Sequence, residues 1–116
     1  MKYVIKKLEA KILEEHGISR FTEYASPIST LTTGVSEIHG KYPASGFDVD
    51  EDVDASWYVV SGTGRIFVGD EVHKVAEGDI IFVPRGDKFW IEGDALKLVV
   101  TSCPPWNPAQ HKHVVG

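Results

Sequence analysis

At 116 residues, 42% hydrophobic and 25% charged, the chain has the size and composition of one globular domain. No apolar run approaches the ~18 residues of a membrane span. The net charge of −5, with no basic stripe or basic-aromatic array, argues against nucleic-acid binding. Cys103 is the lone cysteine, which rules out an intramolecular disulfide and a thiolate zinc site. The N-terminal MKYVIKKLEAKILEEHG is charged throughout and does not read as a signal peptide, so a reducing cytoplasm is expected.

In chain order, residues 5–16 place Ile5, Leu8, Ile12 and Leu13 on one face of a helix that Gly17 would end. The same segment also reads as a strand beginning at YVIKKLE. Residues 31–39 read as a strand with a bulge at Gly34. Lys41 to Gly46 is a Pro/Gly loop. Next comes an acidic run holding Asp48, Asp50, Glu51, Asp52 and Asp54; without those five the chain would carry 12 acidic and 12 basic residues. Strand 55–61, a turn at Gly62-Thr63-Gly64, and a hairpin of 65–68 with 72–75 follow. Strands 80–83, 88–91 and 96–101 are separated by Pro84-Arg85-Gly86-Asp87 and Glu92-Gly93-Asp94. Short strands at this spacing predict an all-β antiparallel sandwich or barrel. The proline-rich tail from Cys103 is expected to wrap the outside, anchored by Trp106.

The acidic run invites a calcium reading, because Asp48-x-Asp50-x-Asp52 imitates the start of an EF-hand loop. The sixth position needs Gly and holds Val53, and the twelfth needs Glu and holds Val59. A solvated charge run is the better reading.

The run SGTGRIFVGDEVHKVAEGDIIFVPRGDKFWIEG closely resembles the cupin superfamily, over roughly residues 30–105. Gly78-Asp79, Pro84 and Gly86 match its second motif in register, and Gly62 matches the closing glycine of its first. The resemblance implies a cupin-like double-stranded β-helix, or jelly-roll barrel, usually a homodimer, with a ligand pocket inside. It divides the single domain 1–116 into an N-terminal element (1–29, a short helix or strand), a barrel (30–103) and a C-terminal wrap (104–116). The matched glycines and proline are read as corner-turning residues that specify the fold.

Metal-binding cupins hold a divalent ion with three histidines and a glutamate. Carried onto this chain, the glutamate position falls at Ala55 and the second-motif histidine at Phe89. The upstream His-x-His falls at Asp48 and Asp50 with a four-residue spacer, or at Val49 and Glu51 with three. Ala55 and Phe89 offer no ligand atom, so neither metal nor other cofactor is expected. In this respect the chain resembles small cupins depleted of metal ligands, and the non-histidine pocket of cupins associated with ethanolamine utilisation. The features shared with the small cupins are Lys41-Tyr42-Pro43 with Gly46, and Pro104 to Lys112; the likeness to the ethanolamine-utilisation cupins lies in the non-histidine pocket alone.

Strand alternation puts Trp57 on the face of Ala55, and Phe89 joins it at the lost histidine position. These two either wall an aromatic pocket or plug the barrel; a partly open pocket, with Trp90 as a further wall, is the expectation. Asp48 or Asp50 would make polar contacts at its mouth, and His39 and Tyr42 are the candidates for the remaining ligand contacts. His111-x-His113 is read as a frayed tail. No Ser/His/Asp order, Gly-x-Ser-x-Gly or phosphate loop is present. The expected function is metal-free binding of a small organic ligand, a carbohydrate or other metabolite. The alternatives are a metal-independent sugar isomerase or epimerase, using Asp50 with His39 or Tyr42, and a structural module with a filled barrel.

Overall fold

The computed structural model describes residues 1–15 and 17–115, and among them the chain is all-β. After a 3-10 turn at Lys7–Glu9 come β1 (Lys11–Glu15), β2 (Ser19–Glu23), β3 (Thr32–Tyr42), β4 (Phe47–Asp50) and β5 (Asp54–Val68). Then follow β6 (Glu71–Ala76), β7 (Ile80–Val83), β8 (Lys88–Cys103), a 3-10 turn at Pro108–Gln110, and β9 (His111–Val114). The pairings are antiparallel, in the order β1-β2-β3-β8-β4-β9, and β5 pairs with β6, β7 and β8. The sheet curls around one core as a jelly-roll barrel. No helix among the described residues is long and apolar enough to cross a membrane.

Two strands run further than their sequence pattern suggests. Gly62–Gly64 and Glu92–Asp94, expected as turns, lie inside β5 and β8. The β5–β8 register shifts between Val59 and Ser61 and again between Ser61 and Thr63, so both strands bend without leaving the sheet. Gly62 has φ +81°, and a side chain there would collide with the Ala95 carbonyl. Only a glycine permits that close approach. Gly34 is not at a bulge. It pairs regularly with Val100, and its missing side chain makes room for the Phe21 ring. The irregularity in β3 comes later, between Ile38 and Gly40.

The helix expected over residues 5–16 does not form in the described residues. Leu8 is 99% exposed, so no core exists for such a helix to cover. A helix this short needs a packed face to persist. The backbone of β1 instead pairs with β2 across Gly17, which extends the sheet from β3. This is the strand alternative, though it starts at Lys11 rather than Tyr3.

The core is built from the inward rows of β3, β5 and β8. Ile38, Val59, Ile66, Leu96 and Leu98 are fully buried. Trp57 and Phe89 belong to the same cluster, 5% and 4% exposed, with rings edge to face at 5.0 Å. At their level the barrel is filled, which corrects the expectation of an open aromatic pocket. Trp90 is corrected too. It lies on the opposite face of β8 and stacks on Phe67 at 5.9 Å, flanked by Lys41 and Arg65.

Truncating a packed aromatic removes both its transfer energy and its contacts, so Phe89→Ala is expected to cost ~3–5 kcal/mol. Urea unfolding measures this. A loss under ~1 kcal/mol would place Phe89 at a cavity wall rather than in the core.

Candidate functional site

β4 decides which carboxylates of the acidic run face inward. Alternation along Phe47–Asp50 turns Asp48 and Asp50 to the barrel interior. Asp48 stands opposite Phe89 of β8 on one side and His113 of β9 on the other, and Asp50 stands opposite His111. Of the two possible spacings, the strand therefore selects the four-residue one. The rest of the run is rim: Glu51 and Asp52 are exposed, and Asp54 is an exposed partner of Arg85. That pair is a fork, with Oδ1 accepting from the Arg85 backbone at 2.8 Å and Oδ2 from Nη2 at 2.9 Å.

The tail departs furthest from expectation. His111 and His113 do not fray, and the segment does not merely wrap the outside. β9 adds an edge strand beside β4, and its two imidazoles close on the two aspartates. His111 donates from Nδ1 to Asp50 at 2.7 Å and from Nε2 to Asp48 at 3.1 Å. His113 donates from Nδ1 to the other Asp48 oxygen at 2.9 Å. Trp106 Nε1 and Gln110 Nε2 donate to the same Asp50 oxygen as His111, at 2.9 and 3.0 Å. Asn107 caps the turn that aims this segment, accepting from the Ala109 backbone N–H. Gly46, at φ +70°, lets β9 approach, because a side chain there would strike the Val114 carbonyl.

The electrostatics follow from this chain of contacts. Carboxylates only accept hydrogen bonds, so an imidazole bonded to one at each nitrogen is doubly protonated. The Asp48 and Asp50 hydrogen bonds accordingly push His111 up to about 9. Burial by itself would raise the Asp48 carboxyl; bonds and charge from His111 and His113 outweigh it and hold the group below its ordinary value. Burial pushes the Tyr42 phenol well above its usual value, reinforced by the Asp48 and Glu15 carboxylates, so Tyr42 remains a proton donor.

The structure thus brings together Tyr42, Asp48 and Asp50, with Trp57 and Phe89 packed beneath Asp48. His39 does not join them. It is exposed on the outer side of β3, lining a surface groove of about 260 Å³ with Glu14, Arg20 and Glu37. The imidazoles of the site are His111 and His113, which sequence reasoning assigned to a frayed end. A signal was present: His-x-His and Asp-x-Asp share the two-residue period of a strand and carry complementary charge.

This donor set does not fit the metal that cupins commonly hold. Ala55 has no ligand atom, and the Phe89 ring is packed against Trp57. Both nitrogens of His111 carry protons directed at carboxylates, so neither lone pair is free. Among the described residues, no group of three or more His, Cys, Asp or Glu side chains is arranged to hold a metal ion.

The fold is that of a small cupin. The sequence matches the Cupin domain family over residues 37–102, more than half of the chain, and the protein belongs to that family. It is similar to the uncharacterized protein SCO3923 of Streptomyces coelicolor, 39% identical over 54 residues, 45% of this chain and 51% of that protein. The chain thus spans about half the length of the curated relative it matches. Among solved structures it is similar to Streptomyces Pac13, described as a unique nucleoside dehydratase, with a TM-score of 0.88 at 23% identity over 99% of this chain and 92% of that one. A Pac13 variant solved with uridine superposes equally well. KdgF from Halomonas sp. has a TM-score of 0.77 at 15% identity, over 94% of this chain and 99% of that one. At these identities the likeness shows the fold.

The raised His111 value gives a signed pH dependence. Its stabilisation is complete below the unfolded value near 6.5 and is lost as pH rises towards about 9. The lowered Asp48 carboxyl works in the other direction, its contribution being lost as pH falls below about 3.8. Both shifts describe one interaction and count once. The His111 ring should titrate near 9 by NMR, and alkaline loss of stability should be steeper in the native protein than in His111→Gln. A His111 value at or below 6.5 would contradict the double hydrogen bond.

Proposed function

We propose that this protein is a metal-independent cupin that binds a small polyhydroxylated organic ligand, a carbohydrate or other metabolite, at the mouth of the barrel. The observation that carries the reading is Asp48. It is 3% exposed yet charged, and it holds two imidazoles at a position where metal-binding cupins place histidine. A buried carboxylate needs such partners, and the set as a whole offers several donors and acceptors at one end of an apolar barrel. Trp57 and Phe89 fill the barrel below, so the ligand is held beside Tyr42, Asp50 and Trp106 rather than deep inside. The likeness to a nucleoside dehydratase supports a sugar-bearing ligand.

A metal-independent isomerase or epimerase is the second reading, favoured by the same linked carboxylates and imidazoles. In it, Asp50 would have to work through Oδ2, because Oδ1 already accepts three hydrogen bonds.

In our reading the working unit is a homodimer in the cytoplasm. Tyr58, Ile80 and Phe82 form an apolar patch on the outer face of β5 and β7, with Phe82 67% exposed, and a second copy of the chain would cover it. Phe82→Glu should then shift the protein from dimer to monomer in sedimentation equilibrium; a native monomer would refute this.

Elemental analysis of the purified protein should find no stoichiometric transition metal, and one tightly held ion per chain would overturn the metal-independent reading. In thermal-shift screening, a sugar or nucleoside at 100 times its Kd stabilises by about 2.7 kcal/mol. Asp48→Asn should abolish that shift. A shift that survived it would move the ligand elsewhere.

A further inference from the structure

Four titratable side chains form an unbranched path, His113–Asp48–His111–Asp50, joined by bonds of 2.9, 3.1 and 2.7 Å. Two of the four, Asp48 and His111, engage both of their polar atoms. Both Asp48 oxygens accept from imidazoles. Both His111 nitrogens donate. Asp50 is engaged through Oδ1 alone, which accepts from Trp106 and Gln110 as well, and its side chain is only 15% exposed. His113 differs. Its Nδ1 is bound to Asp48, whereas among the described residues Nε2 makes no hydrogen bond, and the side chain is 45% exposed.

We propose that His113 is the proton-transferring residue of this site, with Asp48 as its positioning partner and His111 as the fixed cation that keeps Asp48 ionised. The assignment rests on the ligand-binding reading above. Because Asp48 is a pure acceptor, the neutral His113 ring must carry its hydrogen on Nδ1, which puts the lone pair on Nε2. Hydrogen-bonded to a buried carboxylate, the ring is held in one tautomer and one orientation. His111 sits in the same cluster but cannot take this role, since it has no nitrogen free to accept a proton.

The β-strand register aims the ring. Asp48 lies between Phe89 and His113 in adjacent strands, so the inner face runs without interruption from the apolar core to the exposed imidazole. Gly46 provides room on the flank, where a Cβ would come within 3.4 Å of the His113 ring.

The chemistry follows from an imidazole base and a polyhydroxylated ligand. Such a base removes a carbon-bound proton only where a neighbouring carbonyl acidifies it. The substrate class is therefore an aldose or uronic acid reacting at the carbon α to its carbonyl. The C–H electron pair enters the enolate, and the proton passes to Nε2 of His113. The resulting imidazolium is balanced by Asp48. Return of the proton to carbon restores the neutral ring, with no oxidant or reductant involved.

Two measurements decide this. Long-range nitrogen–proton NMR of the native protein should show neutral His113 protonated at Nδ1 and bare at Nε2, the reverse of the tautomer favoured by free histidine. An Nε2–H ring overturns the proposal whether or not any ligand is known. The second measurement incubates the protein in D2O with D-glucuronate, D-galacturonate or D-xylose and reads deuterium at the α carbon by mass spectrometry. His113→Asn keeps a donor towards Asp48, so a sugar that shifts the melting of the native protein should shift that of the variant equally. Exchange should fall about 100-fold or more. Equal exchange in both proteins, or a bound sugar that never exchanges, overturns the His113 assignment and leaves ligand binding intact. If none of the three sugars binds, the failure falls on the ligand-binding reading, and the tautomer alone decides for His113.

Discussion

A carboxylate removed from water must be neutralised, protonated or paired, and the organisation of this site descends from the burial of Asp48. Here pairing prevails. Two imidazoles cover its two oxygens, and one of them reaches on to Asp50. The last strand of the chain is thereby bound to the first strand of the acidic segment, residues more than sixty positions apart. Removing one partner would leave a buried charge uncompensated, which is far costlier than never having built the pair. The short 3-10 turn, the Asn107 cap and the bare flank of Gly46 all serve to bring β9 within hydrogen-bonding reach.

The apolar part of the barrel solves a different problem. β5 and β8 are long enough to pass through two faces of the roll, and they bend where their register shifts, against Gly62 and Ala95. Trp57 and Phe89 meet beneath Asp48, their rings 5.0 Å apart and edge to face. An apolar floor beneath a charged roof lowers the local dielectric, which strengthens each hydrogen bond of the cluster. The pairing of the buried carboxylate and the filling of the barrel are therefore coupled.

Much of the architecture was legible before any coordinates. Gly78-Asp79, Pro84 and Gly86 mark tight corners between short strands, and corners are local, so the residue types that make them can be recognised one at a time. The Asp48 and Asp50 pair was visible as an alternative, but only the strand phase excluded Val49 and Glu51. The N-terminal segment misled for an equally physical reason. Ile5, Leu8, Ile12 and Leu13 have helical spacing, yet spacing stabilises a helix only when something covers the face, and the neighbouring strands offered backbone pairing instead. Gly62–Gly64 and Glu92–Asp94 resemble turns because bulged, bending strands and turns use the same residues.

What the sequence determined by itself was the all-β roll and the family, since both depend on residue type at motif positions. Only the tertiary structure decided that the barrel is filled, that Trp90 points outward, that His39 stands apart, and that His111 and His113 complete the site. Those outcomes depend on which distant strands become neighbours and in what register. A single-residue slip in the pairing of β4 with β9 would turn the two histidines to solvent and leave Asp48 unpaired. No feature of β9 and the turn before it, taken alone, encodes the partner that holds them in place.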